Sequence, residues 1–404
     1  MNRRHPVIQS IVVLLFALLV GACKDVGPPR VATAPLTRDS AGIEIIEYSA
    51  EAWNTNAVWR LDQNPILTIG VIEGPPEYEL ANVTGAIRLD DGTIVVINAS
   101  SGELRFYDSS GVYMRSVGRR GDGPGEYQFA SAVGRYGIDS LVVWDAGLSR
   151  GSVLARDGTF AHNFSVPASL GDISVLGAFG DGGLLGSLSR AFRPNELASG
   201  MIRHTAIYIR LFPSGQADTI ASLFSNEGFN TRGAYYLTPF SRRAVAAATG
   251  EYVHYGSSDN YEIRTYRIPS KLIRIIRSAR TTPLSQGEVD RVIAGVGSAR
   301  ARDALSMISY PHTKPAYSQF RTDTDGNLWV EDYVEPGKEK EAQSWTIFGP
   351  AGELRGRVMT PARFTVLDIG SDYLLGDARG EMDTEQILIY RLIKPESATA
   401  EPTS

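Results

Sequence analysis

IGVIEGPPEYEL (Ile69 to Leu80) and VGRRGDGPGEYQF (Val117 to Phe129) share one frame: apolar residue, glycine, a few residues, then Gly-Pro-x-Glu-Tyr-x-apolar. Gly74 and Gly123 lie 49 residues apart. Two further matches follow in phase. DDGTIVVIN (Asp90 to Asn98) answers to GIDSLVVWD (Gly137 to Asp145), and RFYDSSG ending at Gly111 answers to VLARDG ending at Gly158, both at an offset of 47. A unit of this length, filled with alternating strands and closed by Gly or Asp turns, is the signature of repeated radial sheets.

Looser copies continue the series. DGGLLGS (Asp181 to Ser187), TGEYVHY (Thr249 to Tyr255), DGNLWVED (Asp325 to Asp332) and GSDYLLGD (Gly370 to Asp377) each supply a turn and a strand. The strands AIYIRLFPSG, YEIRTYRI, SWTIFGPAG and EQILIYRL follow them. Six strand pairs result. The sixth unit runs into a polar tail before its outermost strand, whereas PILTIG (Pro65 to Gly70) precedes the first unit with no inner strands of its own. This segment is expected to complete the last sheet, which would hide both open edges.

Composition agrees with strands and turns. The 404 residues are 43% hydrophobic and 21% charged, and the 41 glycines spread turn signals along the whole chain. A formal charge of −5 without basic runs argues against nucleic-acid binding.

The amino end carries a separate signal. Arg3 and Arg4 precede an apolar run from Ile11 to Val20 and then Gly21-Ala22-Cys23, the layout of an export leader. LVGAC resembles a bacterial lipoprotein box. That resemblance implies acylation of Cys23, with the membrane as a partner through the lipid. Lys24 at the next position leans toward the outer membrane. Cys23 is the one cysteine of the chain, so no intramolecular disulfide forms. The expected organisation is a lipoprotein signal peptide at 1–22, a flexible tether at 23–42, a propeller at 43–394 and a disordered tail at 395–404.

The pattern as a whole resembles NHL-type six-bladed propellers, and more closely the bacterial six-bladed β-propeller lipoproteins, over about residues 59 to 393. The fold class implied is all-β: a six-bladed β-propeller closed by an N-terminal strand, with a short helical insertion between blades four and five. In Thr281 to Ala316, Ser285-x-x-Glu288 reads as a capping box, Leu284 and Val289 as a hydrophobic staple, and Val289, Val292, Ile293 and Val296 as an apolar stripe.

The glycine cluster Gly118 to Gly125 does not read as a phosphate loop. Gly125 leads to Glu126-Tyr127 instead of Lys-Ser/Thr, no helix pattern follows, and Glu126 would repel phosphate. Gly121, Gly123 and Gly125 with Pro124 are expected to turn the chain between blades, Glu126 and Tyr127 locking the corner.

Asn98, Asp145, Asp332 and Asp377 fall at one register, which would allow a ring of metal-binding carboxylates. The spacings Asn98 to Arg105, Asp145 to Arg150 and Asp259 to Arg264 favour a structural role instead. They resemble the Asp-x-x-x-x-Arg hairpin of NHL blades, in which the pair braces two strands.

His162, His204, His254 and His312 show no metal-ligand spacing, and no nucleophile elbow occurs. Long segments at Arg190 to Arg203, Gly256 to Asn260, Asp332 to Gln343 and Thr281 to Ala316 are expected on one face. Binding candidates there are His254, Tyr255, Glu331, Asp332 and Tyr333. The functional expectation is a monomeric, lipid-anchored cell-envelope module, without cofactor, that binds a protein, peptide or glycan. The competing reading is a metal-dependent hydrolase or lyase with Asp145, His254, Glu331 and Asp332 around an axial pit, as the resemblance to propeller lactonases and lyases implies.

Overall fold

The computed structural model describes residues 34–54, 58–166, 170–171, 173–189, 199–231 and 234–395. Cys23, the leader and the carboxyl tail lie outside them. The strands form six sheets in chain order. Sheet 1 is Val83–Arg88, Ile94–Asn98, Glu103–Tyr107 and Tyr113–Val117. Sheet 2 is Ala130–Tyr136, Ser140–Asp145, Arg150–Ala155 and Phe160–Ser165. Sheet 3 starts with Ile173–Ala178 and Leu184–Ser189, then extends into a long ribbon, Gly200–Leu211 against Ala217–Thr231. Sheets 4, 5 and 6 start with Val245–Thr249, Tyr317–Thr322 and Phe364–Ile369.

The second strands of the sheets are buried on both faces, and alternation sorts their side chains between two neighbours. In Ile94–Asn98, Val95 and Ile97 pack toward sheet 2 while Ile94 and Val96 pack toward sheet 6. Six separate hydrophobic clusters result, one between each pair of consecutive sheets and one between the sixth and the first. The first strands of all six sheets line a single central cavity of about 550 Å³.

The expected closing strand is present. Leu67–Ile69 pairs antiparallel with the last strand, Ile69 opposite Ile387 and Leu67 opposite Ile389. Ile69 is buried with Ile387, Ile389, Tyr373 and Tyr107.

The flexible tether expected at 23–42 does not extend through residues 36–40. Leu36–Ser40 is a strand, paired with Ile43–Tyr48, and the latter runs parallel to Lys271–Ser278 as a fifth strand of sheet 4. Ile46 and Tyr48 enter the core between sheets 4 and 5, and the Tyr48 hydroxyl donates to the Gly352 carbonyl at 2.9 Å. The apolar side chains of Ile43 to Tyr48 need cover, and the open edge of sheet 4 needs a partner.

Two helices, not one, sit between sheets 4 and 5: α1 (Gln286–Ala294) and α2 (Ala299–Ser306). Ser285 and Glu288 form the expected capping box, and Val289 is the buried residue of α1. Ser298 caps α2 by accepting from the Ala301 amide. Among the described residues no helix is long and apolar enough to cross a membrane.

Candidate functional site

The glycine cluster is a structural corner. Gly118 and Gly125 adopt φ of 83° and 72°, whereas Gly121 and Gly123 do not have positive φ. They are needed for space: a Cβ on Gly121 would lie 2.2 Å from the Glu126 carboxylate, and one on Gly123 at 3.0 Å. That carboxylate accepts from the Gly123 amide at 2.9 Å and pairs with Arg119, which together hold its pKa below the usual range. A carboxylate of the chain itself therefore occupies the concavity where a phosphate would have to sit. Pro124 lies within this turn, and Tyr127 is buried in the core between sheets 1 and 2.

The residues read as hairpin braces do something different from pairing with each other. Asn98 Oδ1 accepts from the Ala81 amide, and Asp145 accepts from the amides of Gln128, Phe129 and Leu148. Arg105 Nη1 donates to the carbonyls of Pro76, Glu77 and Glu79 at 2.9, 3.1 and 2.8 Å. Arg150 does the same for Asp122, Gly123 and Glu126. The acid or amide thus holds the end of each crossing by its amides, and the arginine holds the bend by its carbonyls. Asp259 departs from the series: it pairs with Arg203 at 2.6 Å, while Arg264 pairs with Glu262.

The four groups proposed to surround a metal do not converge. Asp145 is spent on the crossing. His254 is buried within sheet 4, Nδ1 3.0 Å from Thr265 Oγ1, and burial lowers its pKa to about 4, so its imidazole is neutral. Glu331 is buried and accepts from Gln319, its pKa raised to about 7 by burial. Asp332 pairs with Arg280 and Arg357. Among the described residues no group of three or more His, Cys, Asp and Glu side chains gathers as a metal site.

What the long segments build is a recess of about 240 Å³ beside α1. Its walls are Asp259 to Tyr261 from the connection within sheet 4, Arg280 to Thr282 and Thr313 to Ala316 from the segment that carries the helices, and Asp332, Tyr333 and Glu335 from the end of the second strand of sheet 5 and the loop after it. Two of the five binding candidates, Asp332 and Tyr333, are there. Tyr255 lines a neighbouring recess of about 340 Å³ with Phe224 and Arg264, and His254 and Glu331 line neither.

Lys314 organises the first recess. Its Nζ lies 2.6 Å from Glu288 of α1 and 2.5 Å from Glu335 of sheet 5, so one buried ammonium ties the helix to the sheet. Burial opposes its charge, but the two carboxylates outweigh burial and raise its pKa. The same contact, with the capping hydrogen bonds from Ser285, lowers Glu288 to about 2. Behind the recess, Phe240, Tyr310 and Tyr333 pack ring against ring from three different segments. Buried Arg242 donates to the carbonyl and hydroxyl of Thr313.

The central cavity lies elsewhere. Its wall reaches the turns after the first strands, at Gly180, Gly250 and Thr324, and includes none of the long segments. Its lining is mostly small, with Gly85, Ala86, Val133 and Val175 beside the hydroxyls of Thr84, Ser131, Thr249, Thr322 and Thr324, and it carries the charges of Arg135, Arg321, Asp323 and Asp368. Arg135 reaches from sheet 2 across sheet 1 to Asp368 of sheet 6 at 2.7 Å, and Asp368 also accepts from Tyr373 and the Arg88 amide. Lys314 and Arg321 did not stand out in the sequence because they fall where the repeat is loose or interrupted, and Arg135, although in a sharply repeated unit, did not because its partner Asp368 lies more than 200 residues away.

A ring of sheets around one axial cavity, each packed on the next, places the chain in a known architecture. The fold is that of a β-propeller. A member of the DUF4221 family from Bacteroides vulgatus matches it at 10% identity over 85% of this chain and all of that one, with a TM-score of 0.53. A protein from Bacteroides fragilis described as exported matches at 15% identity over 87% of this chain and all of that one, with a TM-score of 0.48. An inactivated virginiamycin B lyase from Staphylococcus aureus matches at 11% identity over 81% of this chain and 87% of that one, with a TM-score of 0.41. No family model and no curated protein matches the chain.

Proposed function

We propose that the chain is a six-bladed β-propeller of the cell envelope, exported and held at the membrane through acylated Cys23, which binds a polar segment of a peptide or glycan in the recess beside α1. Six sheets in order, a closing strand and a shared axial cavity support the blade count. The leader sequence supports export.

One observation carries the binding assignment: three segments foreign to the repeat converge on one recess, whose wall mixes hydroxyls, an amide, charges and a tyrosine ring. Such walls orient polar ligands by hydrogen bonds while the ring supplies contact area. Lys314 fixes the wall at low conformational cost, which favours binding by preorganisation. No observation favours the metal-dependent reading, since its donor groups serve separate structural contacts.

The test is a screen of the purified protein on arrays that carry both peptides and cell-envelope glycans, beside an Asn260→Ala Tyr333→Ala variant. Binding lost in the variant supports the recess. Binding untouched by the variant moves the site elsewhere, and no binding on either array removes this reading. Anchoring is tested separately: Cys23→Ser should abolish incorporation of a labelled fatty acid and release the protein from membranes.

A further inference from the structure

We propose that the central cavity binds a small oxyanion through the guanidinium of Arg321. Arg321 stands on the first strand of sheet 5 and lines the cavity, remote from the recess beside α1. Its Nε is buried with no hydrogen-bond partner. Among the described residues its guanidinium makes no hydrogen bond and no ion pair, in contrast to Arg105, Arg135, Arg150 and Arg203.

The other charges of the wall are already satisfied. Arg135 and Asp368 hold each other. Asp323 accepts from Asn327, from the Trp329 indole and from the amides of Asp325 and Asn327. Glu331 is the carboxylate nearest in charge terms, yet it lies beyond ion-pair distance and accepts from Gln319 instead. Burial also keeps it partly protonated near neutral pH. Arg321 is therefore the one guanidinium of the described cavity wall that no carboxylate or carbonyl of the chain binds, while Asp323 keeps its charge among neutral donors.

Arg321 is half-buried, and leaving its buried Nε donor unmet is costly unless something outside the chain completes the guanidinium. The planar fork of arginine matches a carboxylate or phosphate in two parallel hydrogen bonds. The rest of the wall mixes small glycine, alanine and valine residues with the hydroxyls of Thr84, Ser131, Thr249, Thr322 and Thr324, which leaves room for a short organic body behind the anionic group. The ligand class is thus a phosphate or a short organic carboxylate.

The test uses inorganic phosphate and butyrate as separate probes, at ionic strength matched with sodium chloride, read by thermal shift and titration calorimetry. Wild type, Arg321→Met and Gly177→Leu are compared. A Cβ on Gly177 meets nothing within 4 Å and Gly177 lines the cavity, so leucine there is chosen to take up cavity space.

Stabilisation of wild type by either probe is expected, with a loss of about tenfold or more in affinity in both variants. Arg321→Met should melt at or above wild type in chloride, because it removes a guanidinium that no group of the described chain hydrogen-bonds. Response to phosphate alone, to butyrate alone or to both identifies the anionic group and supports the site. A wild type that neither probe stabilises overturns the proposal. So does an Arg321→Met protein that melts lower than wild type and keeps the anion response, since Arg321 would then be a structural brace.

Discussion

Replacing Arg105 with methionine removes the guanidinium while keeping most of the packed stem. Three carbonyls, those of Pro76, Glu77 and Glu79, lose their donor, as does the ion pair to Glu103 at 3.2 Å. A hydrogen bond to a charged group contributes about 1.5–3 kcal/mol net, so three set a ceiling of roughly 5–9 kcal/mol. The true loss is smaller for two reasons. Pro76 and Glu79 are exposed, so water reaches much of the crossing. Arg105 is itself 7% exposed, so its removal also relieves the desolvation of a cation. We expect a loss of about 3 kcal/mol. At about 2.1 cal/mol/K of unfolding entropy per residue, this lowers the melting temperature of a roughly 350-residue fold by about 4 °C. The assay is thermal unfolding followed by circular dichroism, with urea unfolding as a check. Arg105→Lys should recover less than half of the loss, because one ammonium cannot reach three carbonyls spread over the bend. A methionine variant within about 0.5 kcal/mol of wild type would refute the clamp, as that is the scatter of ordinary surface substitutions. Full recovery by lysine would show that charge alone, and not the fork, holds the crossing.

Ile69→Asp places a carboxylate opposite Ile387 at a position 1% exposed, and should cost several kcal/mol and expose the ring's closing edges; size-exclusion chromatography should show association, with exposed Thr68→Asp as the near-neutral control. Lys314→Met should free α1 and α2, seen as faster proteolysis within residues 286–306. In wild type the depressed Glu288 group adds stability above its unfolded pKa of 4.5, which is lost as pH falls toward about 2, so the same segment should become protease-sensitive in acid. Burial raises both Glu331 and Asp377 to about 7, so the folded state holds more protons than the unfolded state between their ordinary carboxyl range and neutrality. Stability should therefore fall as pH rises through that window, and a Glu331→Gln Asp377→Asn variant should flatten the fall in a series of melts.

The repeat was legible because each unit encodes its own strands and turns locally. Val95-Val96 and Val142-Val143 mark strands buried on both faces, and the Gly-Pro-x-Glu-Tyr corners mark the crossings between sheets. The closing strand was legible by elimination, since PILTIG had no inner strands and the last unit lacked an outer one. The capping box of α1 was legible because capping is decided within four residues. By contrast, Leu36–Ser40 looked like tether, because its strand state depends on Ile43–Tyr48 lying along a strand more than 200 residues away. The Asp and Arg spacing showed where these residues stand but not what they hold: both reach back to the preceding crossing and not to each other.

By itself the sequence determined the all-β class, the order of the strand units and the corner chemistry, all written in short-range pattern. Only the tertiary structure decided which charges meet. Asp332 went to Arg280 and Arg357, Asp259 to Arg203, Lys314 to Glu288 and Glu335, and Arg321 to none among the described residues. The physical reason is range. A strand or a cap is fixed by neighbours in the chain, whereas the partner of a side chain on a ring of sheets is whatever the closure brings to the next sheet, the next crossing or the axis.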